Sequence, residues 1–331
     1  MTSRRFRHTW NARPAGVLAL VLLILTLAGC ASTPRLAETT ENRLPRQALL
    51  DDVPFHAQRD YQCGPASLAM VLNDGGVDVE VETLIPQVFL PGREGSVQPE
   101  MLATVRRHGH IPFVIEGRLD ALLTEVGAGH PVVVMQNLSL PAWPMWHYAV
   151  AIGFDLDRNE LILHSGEEPR RVESFRRFDA TWARSDRWAF VALPPGELPA
   201  DVRPHRAMEA ISDFERLQGA AAALPAWDAL AERLGDNGLA HFGLGNARHA
   251  TGNAMGAVTA FERAVDVQPE LAVAWLNLGL ARREQGDLTG AREALKRAAS
   301  QPGHWQPHAQ QALETLETLE TLETLETLEE R

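Results

Sequence analysis

The sequence QRDYQCGPASLAM at positions 58–70 places a cysteine immediately before a helical pattern. Leu68 and Leu72 follow the cysteine four residues apart, and Pro65 is compatible with a helix only in its first turn. The pattern therefore predicts a helix whose N-terminus carries Cys63. At that position the helix macrodipole favours the thiolate, which is the nucleophilic form of the side chain. We accordingly expect the pKa of Cys63 to be lowered.

A thiolate nucleophile needs a histidine partner, and among the 12 histidines His147 has the most informative surroundings. Residues 147–154 read HYAVAIGF, which alternates between two kinds of side chain as a strand does. One face would carry the large residues Tyr148, Val150, Ile152 and Phe154. The other face would carry the remaining residues, His147, Ala149, Ala151 and Gly153. We expect the helix of Cys63 to pack against the face of small residues, since these allow close approach.

These residues resemble the papain-like, bacteriocin-processing (double-glycine leader) peptidase superfamily. The resemblance rests on Gln-x4-Cys-Gly-Pro-Ala-Ser-Leu-Ala-Met from Gln58 and on His-Tyr-Ala-Val-x-Ile-Gly-Phe-Asp from His147. It implies an α+β fold over residues 51–195, in which the helix that bears the cysteine packs on an antiparallel sheet. It also implies that Cys63 is the nucleophile and that His147 is general base and then acid. Gln58 would form an oxyanion hole with the backbone N–H of Cys63.

The sequence departs from this superfamily at one position. In the superfamily an Asp ends the strand that follows the histidine strand, and it orients the imidazole. Here residues 161–166 read LILHSG, so that His164 or Ser165 takes the Asp position, and Glu167 is a further alternative. Ser165 could hold the ring through a neutral hydrogen bond. A Cys–His pair without a carboxylate therefore remains a working arrangement.

The second half of the chain carries an internal repeat with a period of about 34 residues, which is the length of a helix–turn–helix repeat. Prolines between residues 194 and 204 interrupt the pattern of the first half, and we predict a linker at 196–204. The matched positions beyond it include Leu244 and Leu278, Gly245 and Gly279, Ala257 and Ala291, Ala264 and Ala298. They resemble the tetratricopeptide repeat, with copies at 238–271 and 272–305 and a degenerate copy at 204–237. The resemblance implies an all-α solenoid over 205–310 that binds a protein partner.

Residues 1–29 predict a lipoprotein signal peptide. Four arginines precede an apolar run of eleven residues at 17–27, which is too short to span a membrane, since a span needs about 20 residues. Leu-Ala-Gly-Cys at 27–30 resembles the bacterial lipobox, which implies cleavage before Cys30 and lipidation of its thiol; an uncleaved signal anchor is the alternative. Residues 30–50 are polar and predict a tether. Because Ala31 rather than Asp follows the cysteine, the resemblance implies an outer-membrane anchor on a protein that faces the periplasm.

Residues 311–331 form a low-complexity acidic tail in which Leu-Glu-Thr recurs. On an α-helix a three-residue period turns through about 300°. Successive leucines therefore drift around the helix axis and form no apolar stripe. We interpret the tail as an acidic extension of the last helix.

The composition argues against several classes of protein. With 31 basic and 43 acidic side chains the net charge is −12, so we expect no nucleic-acid partner. Two cysteines cannot form a disulfide scaffold. The sequence shows neither the paired ligand spacing of a metal site nor a glycine-rich phosphate loop, and we expect no metal or cofactor.

The sequence thus predicts a lipid-anchored cysteine peptidase of the cell envelope. Its substrate would be a peptide or a protein, and its helical repeats would recruit that substrate or a protein partner. Two alternatives stay open: a catalytically weakened papain-like scaffold that binds peptides, and a cysteine amidase or acyltransferase on the same fold. Reactivity of the Cys63 thiol would distinguish the peptidase from the scaffold. Incubation with peptides, murein fragments and acyl donors would distinguish the peptidase from the amidase or acyltransferase.

Overall fold

The computed structural model describes residues 36–58, 62–89 and 95–329. Its N-terminal part contains an antiparallel sheet and the helices that cover it. The strands are β1 (Gln47–Leu49), β2 (Ile111–Val114), β3 (Val132–Asn137), β4 (Trp146–Asp155), β5 (Glu160–Ser165), β6 (Glu168–Ser174) and β7 (Ala189–Leu193). The helices are α1 (Glu38–Glu41), α2 (Cys63–Asp74), α3 (Val81–Val88), α4 (Gln98–Arg107), α5 (Leu119–Gly127) and α6 (Phe175–Trp182). This arrangement confirms the predicted α+β fold class.

The sheet has the strand order β2-β7-β3-β4-β5-β6, and each neighbouring pair is antiparallel. β3 pairs with β4 only as far as Ala151, so the end of β4 has a free edge, which pairs with β1. Gly153 permits this pairing because a Cβ there would lie 2.6 Å from the carbonyl oxygen of Ala48. Residues 47–49 thus belong to the sheet. The predicted tether over residues 30–50 is therefore wrong at its C-terminal end.

The helix α2 packs on the face of β4 that carries large side chains, and the expectation that it covers the small-residue face is wrong. Leu68 and Leu72 share an apolar cluster with Val150 and Ile152. Ala149 faces the other way, into the core beneath α5. The physical reason is that α2 is itself rich in small residues. The helix, and not the strand, supplies the room for close approach.

A bulge in β4 changes which residues share a face. The register between β4 and β5 shifts between Ala151 and Gly153, so the alternation slips by one residue there. Phe154 consequently lies in the core beneath α5, whereas Tyr148 lies in the core beneath α2. The prediction that these two aromatic residues share a face is wrong.

The C-terminal part consists of consecutive helices, each of which packs on the next. They are α7 (Pro204–Gln218), α8 (Ala220–Arg233), α9 (Gly238–Ala250), α10 (Ala254–Val267), α11 (Ala272–Glu284), α12 (Leu288–Ala299) and α13 (Gln306–Glu329). Gly245 lies against the ring of Phe261, and one repeat later Gly279 lies against Leu295. The same contact between helices thus recurs with the period of the sequence repeat. The predicted all-α solenoid is confirmed.

The helix α7 joins the two parts of the molecule through a shared core. Ile211 and Phe214 lie in the same apolar cluster as Phe113 of β2. Arg106 of α4 donates a hydrogen bond of 2.8 Å to Asp213, in an ion pair that is mostly shielded from solvent. The predicted linker at 196–204 therefore connects two parts that pack directly on each other.

The last helix carries the fold into the acidic tail. Leu316 is fully buried, whereas Leu319 is 46% exposed, as expected for leucines that drift around the axis. Within the described residues, no helix combines the length and the hydropathy that a membrane span requires. The predicted signal peptide 1–29 and the predicted lipidation site Cys30 lie outside the described residues.

Candidate active site

Cys63 is the first residue of α2, and its side chain is partly buried. Burial raises the pKa of the Cys63 thiol. The backbone N–H groups of Tyr148, Gly64 and Cys63 itself hydrogen-bond to the sulfur and lower the pKa, but by less than burial raises it. The expected lowering of the Cys63 pKa is therefore wrong. The sequence indicates the helix N-terminus, but it does not show the protein that packs over it.

His147 lies near the start of β4, and its imidazole Nε2 is 2.8 Å from the hydroxyl oxygen of Ser165. Burial, with a smaller contribution from the positive charge of Arg171, lowers the pKa of His147 to about 4. The ring is therefore neutral at neutral pH. Cys63 and His147 accordingly rest as a thiol and an imidazole, and not as an ion pair.

Of the three candidates for the residue that orients His147, Ser165 makes the contact. The ring of His164 is engaged elsewhere: Nε2 lies 3.1 Å from the carbonyl oxygen of Val53, and Nδ1 accepts a bond of 3.2 Å from the backbone N–H of Arg170. Within the described residues, no hydrogen bond or ion pair joins Glu167 to His147. A neutral hydroxyl thus stands where the superfamily pattern has a carboxylate.

Gln58 is buried between β4 and the turn that follows β5. Its side-chain oxygen accepts a bond of 3.1 Å from the N–H of Gly166, and its amide nitrogen donates a long bond of 3.4 Å to the carbonyl of Tyr148. The backbone N–H of Gln58 donates to the carbonyl of Gly166 at 3.0 Å. These bonds fix the amide plane beside the strand that carries His147.

The backbone of Tyr148 brings the three candidate residues together. Its N–H contacts the sulfur of Cys63, its carbonyl accepts from Gln58, and His147 precedes it in β4. No hydrogen bond joins the sulfur directly to the imidazole in the part of the chain that the structure describes. Because Nε2 is paired with Ser165, Nδ1 is the nitrogen that remains to accept the proton of the thiol.

A cleft of about 900 Å³ opens beside Cys63. Two segments form its walls, one before and within the first turn of α4 and the other between β3 and β4. The described lining residues are Cys63, Gly95, Ser96, Val97, Gln98, Pro99, Met135, Ser139, Ala142, Trp143, Pro144, Met145, Trp146 and Tyr148. None of these residues is charged. The candidate nucleophile thus lies in the wall of an apolar cleft.

Two parts of the chain match known families. Residues 50–189 match the Peptidase_C39 like family, and residues 250–304 match the Tetratricopeptide repeat. The chain carries a Peptidase_C39-like domain followed by tetratricopeptide repeats. Both resemblances, as stated from the two sequence patterns, are thereby confirmed. No curated protein shows a significant match to this chain.

Solved structures resemble each part separately. A protein described as a C39-like peptidase from Bacillus anthracis is 17% identical, with a TM-score of 0.39, over 45% of this chain and 98% of its own. The Sgt2 tetratricopeptide domain from Aspergillus fumigatus is 22% identical, with a TM-score of 0.32, over 35% of this chain and 77% of its own. The type III secretion translocator chaperone SycD from Yersinia enterocolitica is 13% identical, with a TM-score of 0.34, over 37% of this chain and 90% of its own.

The sequence analysis missed two features of the C39-like domain. Ser96 lies so close to Gly64 that a Cβ on the glycine would be 2.1 Å from the serine hydroxyl. A single serine gives no signal of such a contact. The second feature is the segment 137–146, which reads NLSLPAWPMW and holds no charged residue. Its apolar character between two strands is a signal that could have indicated a binding surface.

The described residues hold no group of three or more His, Cys, Asp or Glu side chains that could bind a metal ion.

Proposed function

We propose that the C39-like domain is a cysteine peptidase in which Cys63 is the nucleophile and His147 transfers the proton. Gln58 and the backbone N–H of Cys63 would stabilise the oxyanion. One observation carries the proposal: the sulfur of Cys63 lies in the wall of a cleft and contacts the backbone of Tyr148, while the preceding residue, His147, is held through Nε2 by Ser165. The family match over residues 50–189 supports a peptidase-like fold.

The first half of the reaction forms a thioester. As the sulfur of Cys63 bonds to the carbonyl carbon of the substrate, its proton passes to Nδ1 of His147, and negative charge develops on the carbonyl oxygen. Amide donors aimed at that oxygen stabilise the tetrahedral intermediate. The intermediate collapses as the carbon–nitrogen bond breaks, and the imidazolium gives its proton to the leaving amine.

The second half regenerates the enzyme. Water gives a proton to the neutral His147 and attacks the thioester, so that the carbon–sulfur bond breaks and the thiol regains its proton. An amine or an alcohol in place of water would make the same site a transferase. The family match favours hydrolysis, which is why we place peptidase activity first.

The resting protonation states determine the expected pH dependence. The pKa of His147 is lowered to about 4, and burial raises the pKa of Cys63. His147 must be unprotonated to act as base, so kcat/KM should rise as pH increases through about 4 and then stay level to above neutral pH. A pH profile of peptide hydrolysis tests this, and an acidic limb centred near pH 6.5 would contradict it.

Three variants test the roles of the site residues. Cys63→Ala and His147→Ala should abolish hydrolysis of peptides. Gln58→Ala should slow acyl transfer by roughly 10²–10³, as loss of an oxyanion donor does, and should leave alkylation of Cys63 by iodoacetamide largely unchanged. Thermal unfolding of each variant is the control for folding. Turnover that survives Cys63→Ala would overturn the proposal.

A catalytically weakened scaffold is the second candidate, and one observation favours it. Neither partner is charged at rest, because the pKa of Cys63 is raised and that of His147 is lowered. An unactivated thiol is a poor nucleophile unless a base removes its proton during the attack. If the intact protein binds peptides with no turnover at any pH from 4 to 9, the scaffold is the correct function.

We further propose that the protein is anchored to the outer membrane through Cys30 and faces the periplasm, and that its repeats bind a protein partner. The lipobox-like sequence at 27–30 supports the first proposal, and the tetratricopeptide match supports the second. Labelling with palmitate tests the anchor: the wild type should incorporate label and Cys30→Ser should not. Equal labelling of the two would contradict it.

A further inference from the structure

The cleft beside Cys63 has an exposed apolar rim. The segment 138–146, which runs from the end of β3 to the first residue of β4, contains five large apolar side chains that are at least 43% exposed. They are Leu138, Leu140, Trp143, Met145 and Trp146. Three of them, Trp143, Met145 and Trp146, also line the cleft. Exposed aromatic and aliphatic groups that gather at one site mark a binding surface.

The opposite wall offers a polar side chain without a strong partner. Gln98 lines the cleft, and its amide nitrogen has only the thioether of Met135, at 3.7 Å, in the described part of the chain. A thioether is a weak acceptor. The side-chain amide of Gln98 is therefore suited to hydrogen bonds with a bound molecule.

We propose that this cleft binds an uncharged peptide segment that carries large apolar side chains, and that the peptide backbone bonds to the side-chain amide of Gln98. The inference rests on the proposed peptidase function, since it names the substrate class of that site. Cys63 also lines this cleft. If Cys63 is the nucleophile, the bound peptide must present a carbonyl carbon to its sulfur.

Size and charge decide the kind of side chain. Ligand pockets range from about 300 to 1,000 Å³, and a cleft of about 900 Å³ is far larger than a glycine pair requires. No charged residue occurs among its described lining residues, so that a carboxylate or an ammonium group would be desolvated there without a partner among those residues. The cleft thus favours leucine- and phenylalanine-like side chains.

A peptide fits the cleft better than a hydrocarbon chain. A peptide supplies amide donors and carbonyl acceptors for the side-chain amide of Gln98, whereas an acyl chain would leave that amide with only the thioether of Met135. The apolar rim alone would suit either occupant. The amide of the opposite wall distinguishes the two.

The experiment uses the full chain and three fluorogenic peptides that differ only beside the cleavable bond, where they carry phenylalanine, glycine or aspartate. We expect kcat/KM for the phenylalanine peptide to exceed that of the aspartate peptide by at least tenfold. Trp143→Ser and Met145→Ser should each raise KM for the phenylalanine peptide several-fold. Trp305→Ser and Met255→Ser are matched controls at exposed positions outside the cleft, and they should change nothing.

A binding measurement separates this inference from the proposed function. In Cys63→Ala, fluorescence anisotropy of the same labelled peptides reports binding without turnover. Tighter binding of the phenylalanine peptide that is weakened by Trp143→Ser and by Gln98→Ala supports the cleft, even if the wild type proves inactive. Equal affinity for the three peptides overturns the inference. So does binding to phosphatidylglycerol vesicles through Trp143 with no affinity for any of the peptides.

Discussion

The hydroxyl of Ser165 holds His147 differently from a carboxylate. A carboxylate only accepts, so it keeps a proton on Nε2 and leaves the lone pair on Nδ1. A serine hydroxyl both donates and accepts, so its bond of 2.8 Å to Nε2 is compatible with either tautomer. It also brings no negative charge to stabilise the imidazolium that the proposed mechanism would form. In the proposed mechanism, His147 therefore has a weaker orienting group than the superfamily pattern provides.

We expect Ser165→Ala to lower kcat/KM up to about tenfold, because one hydrogen bond contributes about 0.5–1.5 kcal/mol. Ser165→Asp should raise the pKa of His147 and move the acidic limb of the pH profile upward, since an adjacent carboxylate favours the charged ring. Peptide hydrolysis between pH 3 and 8 measures both effects. Ser300→Ala, an exposed serine of the solenoid, is the matched control. An unchanged pH profile in Ser165→Asp would show that Ser165 does not act on His147.

The sequence indicated candidate site residues that the fold brings together, because the pattern depends on residue types at fixed positions in a helix and two strands. Cys63 begins the predicted helix, and Ser165, one of the three candidates for the orienting residue, contacts His147. The direction of the Cys63 pKa could not be predicted. Burial dominates that pKa, and burial arises from segments distant in the sequence, such as the one that carries Ser96.

At the scale of elements, contacts between segments that are distant in the sequence also explain the wrong predictions about β4. Its alternation correctly predicted a strand, because alternation depends only on neighbouring residues. Which face meets α2 depends on the small residues of the partner helix, and the bulge at 151–153 depends on pairing with β5. The repeat period of the solenoid was more reliable, since Gly245 and Gly279 meet the same kind of neighbour in successive repeats.

The contact between α2 and the segment before α4 gives an element-scale prediction. A Cβ on Gly64 would lie 2.1 Å from the hydroxyl oxygen and 2.5 Å from the Cβ of Ser96. We expect Gly64→Ala to lower the free energy of unfolding by about 1–3 kcal/mol, as overpacking does, and to reduce turnover by moving the cleft wall. Urea unfolding and peptide hydrolysis measure the two effects.

Two further variants make this prediction specific. Gly235→Ala is the matched control, because nothing lies within 4 Å of a Cβ at that position. Adding Ser96→Gly to Gly64→Ala removes the clashing atoms and should restore much of the lost stability. Equal unfolding free energies for Gly64→Ala and Gly235→Ala would contradict the close contact.

At the scale of the whole molecule, the C39-like domain and the repeats share one apolar core. Ile211 and Phe214 of α7 are fully buried against the edge of the sheet. Arg106 bonds to Asp213, and its backbone carbonyl accepts a bond of 2.7 Å from Gln218. The first helix pair of the solenoid thus acts as part of the C39-like domain. A partner bound to the repeats would be held at a fixed position relative to that domain.

This shared core predicts where the chain can be shortened. We expect a chain that ends at residue 203 to unfold at a clearly lower temperature than one that ends at residue 236 and keeps α7 and α8. Burial of Ile211 and Phe214 contributes about 1.5–3 kcal/mol each, hence roughly 3–6 kcal/mol of a total that is usually about 5–15 kcal/mol. Circular dichroism gives the two melting temperatures, and alkylation of Cys63 reports the integrity of the site. Because repeats contact only their neighbours, loss of α9 to α13 should leave Cys63 alkylation at the rate of the full chain. If the two shortened chains melt together, α7 does not belong to the core of the C39-like domain, and the repeats are an independent body.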